Sequence, residues 1–291
     1  MLLFEGPGGT IGEEPMGMTL HELVELFNRD FHGHPYLIEH ELPFALESDG
    51  VVGRFHGLSL HTELETLHAA HGEASDGHQA LTVARGVQGQ RLSAWTPYAV
   101  ALDGEAIVHL DRLIRTVHVL NARSRLADGP LWLGVHPLHL RAVPDAHGAV
   151  FAGILRRCGV RPEEIVLEFT DTERLPEAHV ERAIAGFRSR GYGVAFVQAG
   201  GDEAWLERLL RLQPDAIKLG PAHLRAAELD PAERARLQAR LARIRAAGVR
   251  ALLRGVSGAA QAELARELGA DGWQGDPPEG QDAVEARMRA G

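Results

Sequence analysis

The sequence is poor in cysteine, in positive charge and in long apolar runs, and each shortage excludes a class of protein. Cys158 is the only cysteine among 291 residues, so no internal disulfide forms and the reducing cytoplasm is the expected location. A formal net charge of −10 argues against nucleic acid and anionic membranes as partners, because gripping phosphates requires a basic face and the Lys and Arg residues here are dispersed. No apolar stretch reaches the roughly 20 residues that span a bilayer. The amino terminus also lacks the basic segment and long apolar core of a signal peptide.

Short apolar segments of β-favouring residues alternate with amphipathic helical segments along most of the chain. In the clearest of them, residues 163–171, an apolar run ends in the polar side chains of Glu168, Thr170 and Asp171, which is typical of a buried parallel strand that opens into a polar site. The predicted strands are 59–68, 79–83, 131–137, 163–171, 193–198, 215–219, 249–254 and 271–274. Eight strands separated by helices predict an α/β protein with a TIM-like (β/α)8 barrel.

Residues 1–58 do not follow this alternation of strands and helices. We therefore predict an N-terminal extension over residues 1–58 and a barrel domain over residues 59–291. Thr19 and Glu22 form the pattern of a capping box, which predicts the start of an amphipathic helix. Residues 43–47 and 51–55 flank a Gly-containing turn at 48–50, which predicts a β-hairpin.

Histidines are frequent in the first 80 residues. They are His21, His32, His34, His40, His56, His61, His68, His71 and His78. A metal site would use His32 and His34 with Glu39 or His40, but this spacing is not diagnostic and the cysteines of common structural zinc sites are absent. We expect a solvated surface that gains charge below about pH 6.5 instead of a metal site.

Several motifs follow one another at the ends of the predicted strands. They are Gln79-Ala80-Leu81, residues 131–137, Glu168-Phe169-Thr170-Asp171, residues 215–219 with Lys218, Gly255-Val256-Ser257, and residues 268–275 with Gln274. In order and spacing they resemble the EAL family, the bacterial phosphodiesterases that hydrolyse the second messenger cyclic di-GMP. The resemblance covers roughly residues 59–285 and implies a barrel of the EAL type, with Gln79 at the first position of the Glu-Ala-Leu motif that names the family.

The resemblance also implies a pair of Mg²⁺ or Mn²⁺ ions about 4 Å apart, which clamp the phosphodiester and activate a water molecule. Most of the oxygen ligands that the family uses are replaced in this chain. The replacements are Gln79 and Arg254 for glutamates, Gly134 for an asparagine, Val197, Gln198 and Gly220 for aspartates, and Ser257 for a further acidic residue. Glu168, Lys218 and Gln274 remain as remnants of a catalytic site, and we expect no bound metal and no other cofactor.

General acid or base catalysis by one side chain such as Glu168 contributes about 10²–10⁴-fold, whereas phosphate ester hydrolysis requires far larger accelerations. We therefore predict a pseudoenzyme that acts in cyclic di-GMP signalling as a regulatory adaptor, through a protein partner. Barrels of the family often pair, so the resemblance allows a homodimer, while the sequence itself leaves the oligomeric state open. We further hypothesise that Arg254 pairs with Glu168 and occupies the position that a metal ion holds in the family. The alternative is sequence drift, in which the residues at the mouth changed after selection on them was lost.

Two other functions remain open at this stage. A metal-independent receptor would bind cyclic di-GMP through candidate residues at the strand ends. These candidates are Gln79, Arg85, Glu168, Lys218, Arg254 and Gln274. An active enzyme would need replacement carboxylates, for which Asp171, Asp202, Glu203 and Asp276 are available; we rank it last.

Overall fold

The computed structural model describes residues 18–31, 36–37, 41–71, 75–143, 147–198 and 203–275. The strands are β1 (Phe44–Glu47), β2 (Gly50–Phe55), β3 (Leu58–Ala69), β4 (Ser75–Arg85), β5 (Arg91–Leu92), β6 (Leu131–Val135), β7 (Ile165–Phe169), β8 (Gly193–Gln198), β9 (Ala216–Leu219), β10 (Arg250–Val256) and β11 (Gly272–Gly275). The helices are α1 (Leu20–Asp30), α2 (Thr96–Val100), α3 (Gly104–Ala122), α4 (Pro137–Ala142), α5 (Ala149–Arg157), α6 (Glu177–Arg188), α7 (Glu203–Arg211), α8 (Pro221–Leu229), α9 (Pro231–Ala246) and α10 (Gly258–Glu267).

Eight of these strands close into a barrel in the order β3-β11-β10-β9-β8-β7-β6-β4, and pairing of β3 with β4 completes the ring. The α/β prediction of a TIM-like barrel of the EAL type is thereby confirmed. One strand differs from a regular (β/α)8 barrel, since β3 is antiparallel to both β4 and β11. Only residues 70–74 separate β3 from β4, and so short a connection joins antiparallel strands, whereas parallel neighbours need a crossover.

The predicted N-terminal helix and hairpin are both present. In α1 the Thr19 hydroxyl accepts the Glu22 N–H at 3.3 Å while the Glu22 carboxylate accepts the Thr19 N–H at 2.7 Å, which is the predicted capping box. The Asn28 side chain binds both backbone groups of Phe44, at 2.8 and 2.9 Å, and ties α1 to β1. β2 pairs with β3 and so continues the sheet of the barrel. A domain boundary at residue 58 stays a prediction.

The long helix α3 packs the hairpin onto the barrel. Asn121 accepts the Val51 N–H at 2.7 Å and donates to the Val51 carbonyl at 2.8 Å. His118 lies between the hydroxyls of Thr62 on β3 and Thr82 on β4, at 2.8 and 3.1 Å. No helix in the described ranges is long and apolar enough to cross a membrane.

The histidines of the first 80 residues have no common environment. His32, His34 and His40, together with Glu39, lie outside the described residues. Three others are exposed, namely His21, His56 and His71, and three are partly buried, namely His61, His68 and His78. The ring of His68 stacks on Trp273 with centroids 5.8 Å apart, and burial lowers its pKa. The expectation of a solvated surface therefore describes only part of the set.

One apolar layer of side chains fills the barrel interior beneath the candidate site. The inner apolar layer consists of Leu67, Trp132, Ala195, Ala216 and Leu252, with Val166 packed against it. Side chains alternate along a strand, so residues two positions further toward the carboxyl ends of the parallel strands point into the barrel mouth. These positions carry the candidate residues of the sequence analysis.

Candidate functional site

The barrel mouth is organised around the side chain of Lys218 on β9, which is fully buried. Its ammonium Nζ lies 2.6 Å from Oε2 of Glu168 on β7. It donates hydrogen bonds to Oε1 of Gln79 on β4 at 2.7 Å and to Oε1 of Gln274 on β11 at 3.0 Å. Two of these contacts are hydrogen bonds and the contact with Glu168 is an ion pair, so three oxygens lie within 3.0 Å of the ammonium. We call Lys218, Glu168, Gln79 and Gln274 the Lys218 cluster.

The partners of Lys218 are themselves held on their far sides. The Gln274 Nε2 donates to the carboxylate of Glu65 on β3 at 2.6 Å, and the Gln79 Nε2 donates to the backbone carbonyl of Trp132 at 3.2 Å. The Trp132 ring lies under the ammonium, with its centroid 4.3 Å from Nζ, a distance at which a cation is attracted to an indole. The orientations of both amides are therefore fixed at each end.

Burial lowers the pKa of Lys218, and the attraction of Glu168 opposes this shift, whereas the nearby positive charge of Arg254 adds to it. The nitrogen nonetheless faces a carboxylate and two amide oxygens, which accept hydrogen bonds and donate none. Such surroundings favour the protonated form, so Lys218 is the resident cation of the mouth.

Arg254 lies on the same inward face of β10, two residues beyond Leu252, and is partly buried. The hypothesis that Arg254 neutralises Glu168 is corrected by the geometry, because the ion pair of Glu168 is with Lys218. Among the residues that the structure describes, Arg254 forms no ion pair. The mouth thus contains two cationic side chains, of which one is neutralised by a neighbouring carboxylate.

Arg85 is the one candidate that lies away from the cluster. It is six residues beyond Gln79 on β4, which corresponds to about 20 Å along the strand, and its guanidinium donates to the Gly89 carbonyl at 3.3 Å. β4 pairs with β6 only from His78 to Ala80 and continues past the barrel as an arm paired with β3. Arg85 belongs to this arm, and its position rules out direct contact with the Lys218 cluster.

Two positions where the family resemblance implies metal ligands have no oxygen to offer to the mouth. A Cβ built at Gly134 on β6 would meet nothing within 4 Å, so the mouth is open at this point. Val197 on β8 projects inward two residues beyond Ala195, while the adjacent Gln198 points to the opposite face and is also buried. The remaining carboxylates do not replace these ligands: Glu203 on α7 is bound by Arg240 and Arg243.

The comparisons with known proteins bear directly on this barrel. The EAL domain family matches residues 62–277. The chain belongs to the EAL domain family. No curated protein matches the sequence.

Several solved structures have the same fold. BlrP1 of Klebsiella pneumoniae, solved with manganese and cyclic di-GMP, is 20% identical at a TM-score of 0.64, and the match covers 74% of this chain and 54% of that one. A standalone EAL protein of Vibrio cholerae in its cyclic di-GMP-bound form is 18% identical at a TM-score of 0.64, covering 74% of this chain and 89% of that one. YkuI of Bacillus subtilis, solved with cyclic di-GMP and calcium, is 18% identical at a TM-score of 0.63, covering 79% and 60%. This chain therefore spans about half the length of BlrP1.

The donor set of the mouth does not fit the divalent metals that EAL phosphodiesterases use. Divalent ions of this type require several free carboxylate and amide oxygens, whereas Glu168 is paired with Lys218 and Glu65 accepts from Gln274. Among the described residues no group of three or more His, Cys, Asp and Glu side chains could hold a metal ion. Asp202 and Asp276 lie outside those residues, and Asp171 is exposed at the end of β7.

Sequence reasoning missed two members of the site. Glu65 orients Gln274 and lies outside the motifs of the family, whereas Trp132 supports the ammonium from within the motif at residues 131–137. The signal for Glu65 was its place two residues before the buried Leu67 on a strand of alternating pattern, which puts both side chains on the inner face. Trp132 was visible as part of the third predicted strand, but its contact with Lys218 depends on barrel closure.

Proposed function

We propose that this EAL-family chain is catalytically inactive and acts in cyclic di-GMP signalling as a regulatory adaptor that binds a protein partner. The observation that carries this proposal is the loss of metal-binding oxygens from the barrel mouth. Gly134 and Val197 offer no oxygen there, and Arg254 stands where the resemblance implies a glutamate. A second cation in the mouth, beside the retained Lys218, repels a divalent ion.

The size of the catalytic task supports the same conclusion. Phosphodiester hydrolysis by EAL enzymes relies on metal ions to activate water and to neutralise the leaving oxygen. Without them only Glu168 remains as a general base, and such a group contributes about 10²–10⁴-fold. That factor is far below what hydrolysis of a phosphate ester demands.

A metal-independent receptor for cyclic di-GMP is the second candidate. BlrP1, the Vibrio cholerae protein and YkuI were all solved with this dinucleotide, and Arg254 offers a guanidinium that no described carboxylate neutralises. Against this function, Lys218, Gln79 and Gln274 already bind one another, and Arg85 lies on the arm. Phosphate binding would therefore depend on Arg254 alone, which is why the adaptor ranks first.

The test measures hydrolysis and binding separately on the full chain. Purified protein is incubated with cyclic di-GMP and Mn²⁺ or Mg²⁺, and the linear dinucleotide product is separated by chromatography, with an active EAL enzyme as the positive control. We expect no product, and steady turnover would overturn the proposal. Calorimetry with cyclic di-GMP, with and without metal, distinguishes the two candidates: micromolar or tighter binding that is lost in Arg254→Ala supports the receptor, and no heat supports the adaptor.

Three further expectations belong to this proposal. A single cysteine, Cys158, buried so that its pKa rises to about 12, suits a reducing cytoplasm. BlrP1, the Vibrio cholerae protein and YkuI come from bacteria, which favours a bacterial origin. Sedimentation analysis of the purified chain tests the homodimer.

A further inference from the structure

A groove of about 880 Å³ lies beside the barrel mouth. Its walls are α4, the connection from β7 to α6, the first turn of α6 and the side chain of Trp95. Apolar residues dominate these walls, namely Trp95, Pro137, Leu138, Leu175, Pro176 and Ala178. Trp95 is 59% exposed and Leu138 is 39% exposed, so two large apolar side chains face solvent at one place. None of the lining residues belongs to the Lys218 cluster.

One wall of the groove is a rigid set of rings. The ring of His136 stacks on Tyr98 with centroids 3.9 Å apart, and Trp95 contacts His136 at 5.7 Å. The Nδ1 of His136 accepts the Leu138 N–H at 3.2 Å, so the ring proton resides on Nε2. Burial lowers the pKa of His136, and the ring is therefore a neutral hydrogen-bond donor at neutral pH.

The rim of the groove is positive, although the whole chain has a net charge of −10. Arg141 on α4 and Arg182 on α6 line the groove, and both are exposed. Neither guanidinium forms an ion pair within the part of the chain that the structure describes. Among the described residues that line the groove, only Asp171 is acidic, so this surface attracts anions more than the acidic chain as a whole does.

We propose that this groove binds a segment of a partner protein in which an apolar or aromatic residue is flanked by carboxylates. The apolar anchor packs between Trp95 and Leu138, and the carboxylates pair with Arg141 and Arg182, as buried anchors surrounded by charge-assisted contacts do at protein interfaces. Charge complementarity selects this occupant over a second copy of the chain, because two copies carry the same positive rim. The proposal rests on the adaptor function and names the surface through which it acts.

The test is a selection of displayed random peptides on the folded full-length protein. We expect the enriched peptides to combine Asp or Glu with a neighbouring apolar residue. Each enriched peptide is then synthesised with a fluorescent label, together with a copy in which lysine replaces every acidic residue. The Arg141→Glu/Arg182→Glu variant should bind the enriched peptides at least about tenfold more weakly than wild type does. The lysine copies should show no binding to wild type.

The matched control is Arg29→Glu/Arg225→Glu on α1 and α8, which makes the same two charge reversals at exposed positions outside the groove. This variant should bind the peptides as wild type does, and circular dichroism checks that both variants fold. Failure to enrich any peptide, or enrichment of peptides that bind the Arg141→Glu/Arg182→Glu variant equally well, overturns the proposal. A dimer that dissociates in Trp95→Ser also overturns it, because a second copy then covers the groove.

The outcome is independent of the catalytic question. Turnover of cyclic di-GMP by the wild-type protein would refute the inactive adaptor while leaving peptide binding at the groove intact. Conversely, an inactive protein whose groove enriches no acidic peptide keeps its proposed lack of activity and loses this surface.

Discussion

Replacement of Lys218 by methionine tests whether the buried ammonium holds the barrel mouth together. The substitution keeps most of the side-chain volume but leaves the Glu168 carboxylate, which is only 4% exposed, without its cation. It also removes the donor to the amide oxygens of Gln79 and Gln274. Breaking a buried ion pair by removing one partner costs about 3–5 kcal/mol. For a chain of 291 residues this corresponds to a fall in Tm of about 5–8 °C.

A double-mutant cycle separates the ion pair from the loss of packing. Glu168→Gln leaves the ammonium without a carboxylate, whereas the Glu168→Gln/Lys218→Met double variant leaves no buried charge of either sign. The double variant should therefore be less destabilised than the sum of the two single variants, by at least about 1–2 kcal/mol.

The assay is urea denaturation followed by circular dichroism at pH 7.5. Arg254→Met is the control, because Arg254 is a partly buried cation of the same mouth with no ion pair among the described residues, and its loss should change the free energy of unfolding by less than about 1 kcal/mol. Additive effects of Glu168→Gln and Lys218→Met, or a change below about 1 kcal/mol in Lys218→Met, would refute the reasoning.

Three further predictions concern the rest of the fold. Phe27→Ala removes a fully buried ring of α1 and should lower the free energy of unfolding by about 3–5 kcal/mol, measured in the same urea titrations, with Leu20→Ala as a partly buried comparison. Burial lowers the pKa of His118 to about 3. Below about pH 6.5 this histidine is therefore protonated in the unfolded chain but stays neutral in the folded protein. Stability should fall by about 2 kcal/mol between pH 7.5 and 5 through this residue, and a His118→Phe variant with an equally steep loss would contradict it. Gly134→Asn should leave Tm within about 2 °C of wild type, because its new Cβ meets open space; a larger fall in thermal unfolding would show that the mouth is filled.

The barrel and the N-terminal elements were predictable because local patterns specify them. Thr19 and Glu22 form the predicted capping box, and the hairpin turns at Gly50 as its sequence indicates. The reversed direction of β3 was not predicted, although the short connection after Ala69 already excluded a helical crossover. The spacing of apolar residues and the sequences of the turns thus predict the helices and strands. The direction of a strand also depends on the length of the connection that joins it to its neighbour.

The site was predictable only in part, because alternation along a strand gives the face of a side chain and leaves its depth and its partners open. The family resemblance predicted that Lys218, Glu168 and Arg254 lie at the barrel mouth, and all three point to the inner face of the barrel. The choice of Arg254 as the partner of Glu168 was wrong, because Lys218 reaches the carboxylate first. Arg85 was predicted to join the candidate residues at the strand ends, but β4 is longer than the predicted strand 79–83 and extends to residue 85, which places Arg85 beyond the barrel.

The Lys218 cluster also shows how the polar side chains that remain in this mouth constrain one another. A mouth free to drift tends to fill with apolar side chains, since buried polar groups cost about 1–3 kcal/mol each when they lack partners. Here Gln79, Gln274 and Glu168 are all buried, and each binds the same ammonium. If any one of the four residues of the cluster is replaced alone, the remaining three keep polar atoms without a partner. Each residue therefore limits which substitutions the others tolerate. The retained ammonium therefore holds three buried polar side chains in place, and it explains how the barrel keeps a polar mouth although other positions around it have changed.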